Sequence, residues 1–458
     1  MTSSLIVPLR TESSLTRPAS HLRLDLVCLY GVVSLVLFGP LAFGAVESWS
    51  ISIVEVGAAL LFALWGVRQI VAGELEIRGN PLFGPMLLFG AVVIWQLVTG
   101  HTAYHAATFS AALLYCAYGV LAFLAVQCLR RTSQLKNLAW FFSAYGFAIA
   151  MFALLEGIGG NGKLYWLRIP QSDGWIYGPY VNHNHYAGLM EMLTPIPLVI
   201  SLTDRVRGRT RALAALAAAI MASTIFLSGS RGGMAAFAGQ MILLAAFLLK
   251  RRENWTAPFA LAGFLALSLI LLLWLGGGDL AERLTNVRKG TGADLSGATR
   301  LTIDRDALKI FAERPLTGWG LGVFGVIYPG FSSLSTNLKV GMAHNDYLQL
   351  LVEMGAAGFL IMVWFLMALF RSAFQKLNHA PSATNAAATL AAVLGISGIL
   401  VHGLVDFNLQ IPANATLFYV LCVVAAMELC SSRHRRPHKV CVARKSACIA
   451  SVDDFEVI

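Results

Sequence analysis

Charge is scarce in this sequence. Asp, Glu, Lys and Arg make up only 13% of its 458 residues, while 57% are hydrophobic. A soluble protein of this length needs far more charge to cover its surface. The composition therefore excludes an ordinary water-soluble enzyme and reads as an integral membrane protein made mostly of spans. The period-two alternation of an outer-membrane barrel is lacking as well, which leaves helices as the spanning element. Cysteine is sparse: Cys28, Cys116, Cys128, Cys422 and Cys430 lie in apolar runs, and Cys441 and Cys448 lie in the C-terminal tail. None falls in an outward loop, so no disulfide is expected. A Walker signature and a G-x-G-x-x-G after a strand are both missing, so no nucleotide loop is expected. There is no solenoid repeat and no clear two-half symmetry.

What the sequence does have is apolar runs. Twelve candidate spans are read, at Leu26–Val46, Ile51–Val71, Pro81–Thr99, Ala107–Leu129, Leu138–Ile158, Tyr186–Leu202, Leu213–Ser228, Gly232–Leu249, Ala257–Leu275, Asp346–Phe370, Ala387–Val405 and Ala413–Leu429. Each approaches or exceeds the roughly 20 apolar residues that cross the hydrocarbon core. The first is too long for a signal peptide. The seventh is short and alanine-rich, which predicts a tightly packed interior helix. The expected fold is all-α and polytopic, with about 12 transmembrane helices and a long loop between spans nine and ten. In chain order it reads as an N-terminal segment 1–25, spans 26–275, the loop 276–345, spans 346–429 and a basic tail 430–458.

Orientation follows from the basic residues. With the N-terminus inside, inward segments hold 23 of the 34 Lys and Arg residues, and eight of the remaining eleven sit in Gly276–Ala343. Long segments translocate regardless of charge, so that loop casts no vote. Both termini are expected in the cytoplasm. The net charge of +10 is explained by inward loops and the tail "RHRRPHK" and needs no nucleic acid.

Residues able to do chemistry cluster at the outward ends of spans, where ionisable groups are costly and tend to be functional. Arg231 sits in "LSGSRGGMAAF", a tight outward turn where a lone arginine runs against the positive-inside tendency. Gly232 and Gly233 beside it permit close backbone approach and open a helix that favours an anion. Arg300 opens a charged helical stretch in the long loop, "TRLTIDRDALKIFAERP"; Arg305, Lys309 and Arg314 there read as a solvated face. Two arginines converging on one place fit a diphosphate, because guanidinium binds phosphate oxygens bidentately and keeps its charge.

His344 begins span ten. Asn345 or Asp346 can cap that helix, but a cap does not need the histidine, which is a candidate base for a hydroxyl proton. Gln349 and Glu353 recur at four-residue spacing from Asn345 and share its face, with Glu353 in a supporting role. Asn182, His183 and His185 in "GPYVNHNHYAGLMEM" stand at the outward start of span six. Their H-x-H spacing lacks a nearby third ligand, so hydroxyl binding or helix capping is favoured over zinc and no metal or other cofactor is expected. His402 and Asp406 lie four apart and read as a brace on span eleven, with His402 a second candidate base. Glu47 and Trp49 are suited to sugar or interface contact.

Taken in order, "SGSRGG", then Arg300 followed by "ERPLTGWGLGVF", then "HNDYLQLLVEMGAAG" resemble the O-antigen ligase / Wzy polysaccharide polymerase family of bacterial inner membranes. The family pattern of His-Asn, nine residues, Gly, two residues, Gly is met by His344, Asn345, Gly355 and Gly358. The likeness covers chiefly residues 180–430. It implies a GT-C-like fold and a metal-independent, inverting glycosyl transfer at the periplasmic face. The donor would be a glycan on undecaprenyl diphosphate. Arg231 and Arg300 would bind the diphosphate, and His344 would take the proton of the acceptor hydroxyl. The acceptor would be a growing glycan, lipid A core or a protein serine. Membrane lipids and polysaccharide assembly proteins are the further partners that the resemblance implies. His183, His185, His402 and Asp406 receive no role from it. The rival reading is a transporter or flippase of a lipid-linked glycan. It predicts substrate groups at the membrane midplane rather than at the outward ends.

Overall fold

The computed structural model describes residues 19–427 except 74, 160, 170–175, 204–205, 252–255, 277–296, 335–339 and 380–381. The N-terminal segment, the basic tail with Cys430, Cys441 and Cys448, and much of the loop before Arg300 therefore lie outside the described residues. Apolar runs become helices in the expected places: α1 (Ala19–Leu41), α2 (Ser48–Ala72), α3 (Phe83–Val98), α4 (His105–Cys128), α5 (Thr132–Ile158), α6 (His183–Leu193), α7 (Pro195–Leu202), α8 (Gly208–Leu227), α9 (Arg231–Arg251) and α10 (Thr256–Gly276). Then come α11 (Gly297–Glu313), α12 (Asp346–His379), α13 (Ala383–His402) and α14 (Pro412–Ala426). Among the described residues there is no β-strand, only two isolated bridges.

Nine of these helices are long and apolar enough to cross a membrane, so the chain is an all-α polytopic membrane protein. The other three expected spans are shorter or interrupted. α3 has 16 residues and α14 has 15. Span six is divided into α6 and α7 at Thr194, because Pro195 and Pro197 each remove an N–H from the helical ladder. Every residue of α6 is buried, and α13 covers it on one side, so these helices form the centre of the bundle. Half of the α8 window is buried, in keeping with its expected interior place.

The helices alternate in direction, so their ends gather at two faces. At one face, Tyr165 Oη donates to Leu41 O (2.8 Å) and Ala413 N–H to Gly44 O (3.0 Å). At the other, Asn80 Nδ2 donates to Val423 O (3.2 Å) and Lys376 Nζ to Val424 O (3.0 Å). Arg231, Arg300 and His344 all belong to the first face, which is also the face of α11.

Span ten departs from the expected continuous helix. α12 is broken at Gly355, whose φ of 64° and ψ of −166° are not helical. A Cβ there would come within 2.5 Å of the Leu316 carbonyl, so only glycine fits. The Gly-rich segment after α11 passes through the break. Ala356 N–H donates to Pro315 O (2.8 Å), Trp319 N–H to Val352 O (3.0 Å) and Gly320 N–H to Glu353 O (2.9 Å). The groups freed by the break are thus satisfied within the protein, as a membrane mouth requires. The stretch 356–379 alone exceeds the about 20 residues needed to span. The turns that carry His344 to Glu353 therefore form a separate outer piece, not the top of one rod.

Candidate functional site

The site is assembled around the turn after α13, from Gly403 to Ile411. Two elements dock on it. Asp346 N–H donates to Gly403 O (2.9 Å), and the Asp346 carboxylate accepts from Leu409 N–H (3.1 Å). Tyr347 Oη donates to Leu400 O (2.7 Å). These bonds fix the start of α12, and Asn345 caps it by accepting from the N–H groups of Tyr347 and Leu348, each at 3.1 Å. His344, the residue before the cap, has φ 55°, a left-handed conformation uncommon for a side chain of its size. Such strain costs on the order of 1–3 kcal/mol and persists where surrounding bonds impose it, often at functional positions.

Asp406 lies at the middle of the arrangement, only 1% exposed. Its two oxygens face two different elements. Oδ1 is 3.9 Å from His344 Nδ1, and Oδ2 is 3.8 Å from Arg300 Nη2. Arg300 also donates through Nη1 to Val405 O. Burial pushes the Asp406 carboxyl up, but the positive charge available on His185, Arg300, His402 and His344 outweighs burial and holds it below the usual carboxylate range. The guanidinium is the permanent charge among these. Phe407, next in the chain, lies between two imidazoles, with ring centroids 4.7 Å from His344 and 4.8 Å from His185, both edge-on.

Arg231 is the exposed first residue of α9. Its neighbour Gly232 lies on the same turn: a Cβ there would be 2.6 Å from His402 Cδ2 and 2.9 Å from Val405 Cγ2. The segment 402–407 thus touches the elements that carry Arg231, Arg300 and His344. Elements spread over the 113 positions from Arg231 to His344 thus converge on one turn.

The other expected site residues have defined places. Asn182 caps α6 by accepting from Asn184 N–H (2.8 Å). His183 is buried with Nδ1 at 2.9 Å from Ser228 O, and His185 is buried against Phe407. Glu353 supports the Gly-rich segment, accepting from Gly322 N–H (2.7 Å), Phe324 N–H (3.3 Å) and Gln349 Nε2 (3.2 Å). Glu47 pairs with Arg168 and accepts from Trp49 Nε1 (2.7 Å), which makes this turn a staple between two loops at the same face. Among the described residues, no group of three or more His, Cys, Asp or Glu has metal-binding geometry.

One expectation is corrected. His402 and Asp406 do not sit together on one helix: α13 ends at His402, and Asp406 belongs to the turn beyond it. Gly403, a poor helix residue, marks the end. The hydrogen-bonding partner of His402 is Glu191, with Nδ1 to Oε1 at 2.8 Å. Glu191 and Phe407 were not among the residues singled out from the sequence. A signal existed for Glu191, the single ionisable residue in the apolar run 186–202.

A comparison with curated proteins finds no match. Residues 216–363 match the family model described as O-antigen ligase (Wzy_C), a stretch that runs from α8 into α12 and contains Arg231, Arg300 and His344. That match, over about a third of the chain, supports the O-antigen ligase / Wzy family that its motifs resemble.

Proposed function

We propose that the chain is a bacterial inner-membrane glycosyltransferase. It moves a glycan from undecaprenyl diphosphate to an acceptor hydroxyl at the periplasmic face, as an O-antigen ligase or as an O-antigen or exopolysaccharide polymerase. On this reading both termini are cytoplasmic. α3, the α6–α7 pair and α14 complete twelve spans, and α11 with the Gly-rich segment forms the periplasmic loop. The observation that carries the proposal is the shared carboxylate: Arg300 and His344 face opposite oxygens of Asp406, and α9 brings Arg231 to the same turn. The family match favours a transferase over a transporter or flippase.

The chemistry follows from these positions. With Nδ1 facing Asp406, Nε2 is the His344 nitrogen that would meet the acceptor hydroxyl. Nε2 takes the hydroxyl proton while the oxygen bonds to the anomeric carbon of the donor sugar. The bond from that carbon to the phosphate oxygen breaks, and its electron pair leaves with the diphosphate. Arg231 and Arg300 receive that charge; interactions that strengthen as charge develops lower the barrier. A single displacement inverts the anomeric centre, and no step calls for a metal. Asp406 has two tasks: it orients the imidazole and holds Arg300 near the site before the donor arrives.

The test is transfer in proteoliposomes supplied with lipid-linked glycan. His344→Ala is expected to abolish transfer while undecaprenyl diphosphate still binds. Transfer at the parental rate removes His344 from the mechanism. The glycan profile of a deletion strain sorts the acceptor. Loss of long chains from lipopolysaccharide indicates a ligase or O-antigen polymerase, and loss of secreted polymer indicates an exopolysaccharide polymerase.

A further inference from the structure

We infer that Glu191 and His402 form a buried positioning pair that sets the height and direction of the start of α9, and through it the place of Arg231. The inference rests on the reading that Arg231 binds the donor diphosphate.

Glu191 on α6 and His402 on α13 are 0% and 1% exposed and are joined at 2.8 Å. The second polar atom of each, Glu191 Oε2 and His402 Nε2, makes no hydrogen bond among the described residues. The pair lies directly under the first turn of α9. A Cβ on Gly232 would be 2.6 Å from His402 Cδ2 and 2.7 Å from Nε2. A Cβ on Gly233 would be 2.8 Å from Ala187 Cβ and 3.1 Å from Glu191 Oε1. Gly232 is thus required by His402, and Gly233 by Ala187 with Glu191 beside it, so the backbone of α9 rests on the pair without any side chain of its own between.

A second polar tie joins the same three helices deeper in the bundle. Gln240 on α9 donates through Nε2 to Glu191 O (2.8 Å) on α6 and to Leu394 O (3.0 Å) on α13. Two ties at different depths fix both the tilt and the register of α9, which one contact cannot do. A stability role explains the upper tie poorly. Replacing both members of a buried hydrogen-bonded or ionic pair by apolar side chains of similar volume is often neutral or stabilising, and the best-attested use of such a pair is to specify register. Arg231, exposed and one residue from the contact, is where an error in register is felt. Arg300 approaches from the other side through Val405, which also packs against Gly232. The distance between the two guanidinium groups is what the pair controls. A loss of complementarity there weakens the donor complex and leaves the acceptor side intact.

The test uses the full chain in detergent, with undecaprenyl diphosphate as the probe and thermal unfolding as the stability control. Arg231→Ala is the reference and is expected to weaken binding at least about tenfold, as the loss of a charge-assisted contact does. The double variant Glu191→Met/His402→Leu is expected to unfold at or above the parental temperature, yet to bind the probe about tenfold more weakly. In proteoliposomes its KM for acceptor is expected to stay at the parental value. Parental binding by the double variant, with Arg231→Ala weakened, overturns the positioning role alone. Parental binding by Arg231→Ala overturns the reading of the site and the inference with it. If the double variant does not fold, a glycine variant decides. Gly232→Ala, which presses the start of α9 off the intact pair, is expected to weaken the probe complex about tenfold while KM for acceptor stays parental. A folded Gly232→Ala variant that binds the probe as the parental chain does overturns the role.

Discussion

The bundle buries charge at both of its ends, and the two ends do so differently. At the end that the proposed topology places inside, Arg68 Nε meets Asp25 Oδ1 at 3.0 Å, and Arg130 reaches Asp25 Oδ2 at 3.5 Å and Glu76 Oε2 at 3.0 Å. Arg78 donates to Val126 O (3.1 Å) and Leu129 O (2.8 Å). Arg68 Nη2 also donates to Asp25 Oδ2 (3.4 Å) and Arg130 Nη1 to both Glu76 oxygens (3.2 and 3.0 Å), so each carboxylate here accepts at hydrogen-bond length, although Arg68 Nε and Arg130 Nη2 make no hydrogen bond among the described residues. At the outer end, Asp406 stands 3.8 Å from Arg300 and 3.9 Å from His344; its Oδ1 accepts from Phe407 N–H (2.8 Å), and among the described residues its Oδ2 accepts no hydrogen bond. Buried polar groups ordinarily find partners, and a partly satisfied cluster is held at a cost. The inner network has the geometry of a brace. The outer cluster is held less closely, and on the proposed function a phosphate would compete with Asp406 for Arg300.

That contrast is broken or sharpened by exchanging one residue at each end. The largest effect is expected for His344→Ala, with transfer reduced by about 10²–10⁴, the usual contribution of a general base. The inner counterpart is Asp25→Asn, which leaves Arg68 and Arg130 short of a carboxylate. It is expected to cost about 3–5 kcal/mol of stability, as removing one partner of a buried pair does. Transfer per folded molecule should be unchanged. A fall in that specific rate comparable to the His344 effect would erase the distinction between brace and site. The next effect in size is expected for Arg300→Lys, which keeps the charge and loses the fork; donor binding should weaken about tenfold to a hundredfold. An equal loss from Arg78→Lys, at the inner end, would show that any basic residue near a helix end matters as much.

The sequence revealed the spans because hydrophobicity over about 20 residues is a local property. It also revealed Arg231, Arg300 and His344 as candidates, since a charge in an outward turn and a histidine beside a cap are anomalies visible in place. What it did not reveal is contact. Asp406 was paired with His402 because four residues apart is a helical neighbour, but α13 ends at His402, and Asp406 turns to Arg300 and His344 instead. Helical spacing could not show where the helix stops. The break at Gly355 was hidden for a related reason. A glycine within an apolar run is tolerated in a continuous helix, and only the Leu316 carbonyl, some forty residues earlier, makes it obligatory. Glu191 was visible as an acid in an apolar span, but its partner lies 211 residues away.

If hydrogen-bond closure rather than side of the membrane separates brace from site, a closed carboxylate on the outward face should behave like the inner network. Asp306 on α11 is that case. It accepts from Lys309 Nζ (2.8 Å), Ser333 N–H (2.8 Å) and Ser333 Oγ (2.7 Å). Burial pushes its carboxyl up, but these bonds outweigh burial and hold it below the usual range. A carboxyl depressed in the folded state contributes stability above its unfolded value of about 3.9 and loses that contribution as pH falls through the folded value. Asp306→Asn is therefore expected to lower the protection of the Ser333 amide against hydrogen exchange at pH 7 by about 1–2 kcal/mol. Exchange measured at decreasing pH should show the parental chain converging on the variant only below about pH 4, and transfer per folded molecule should be the same in both. A transfer defect in Asp306→Asn without loss of amide protection would move Asp306 out of the brace and into the site.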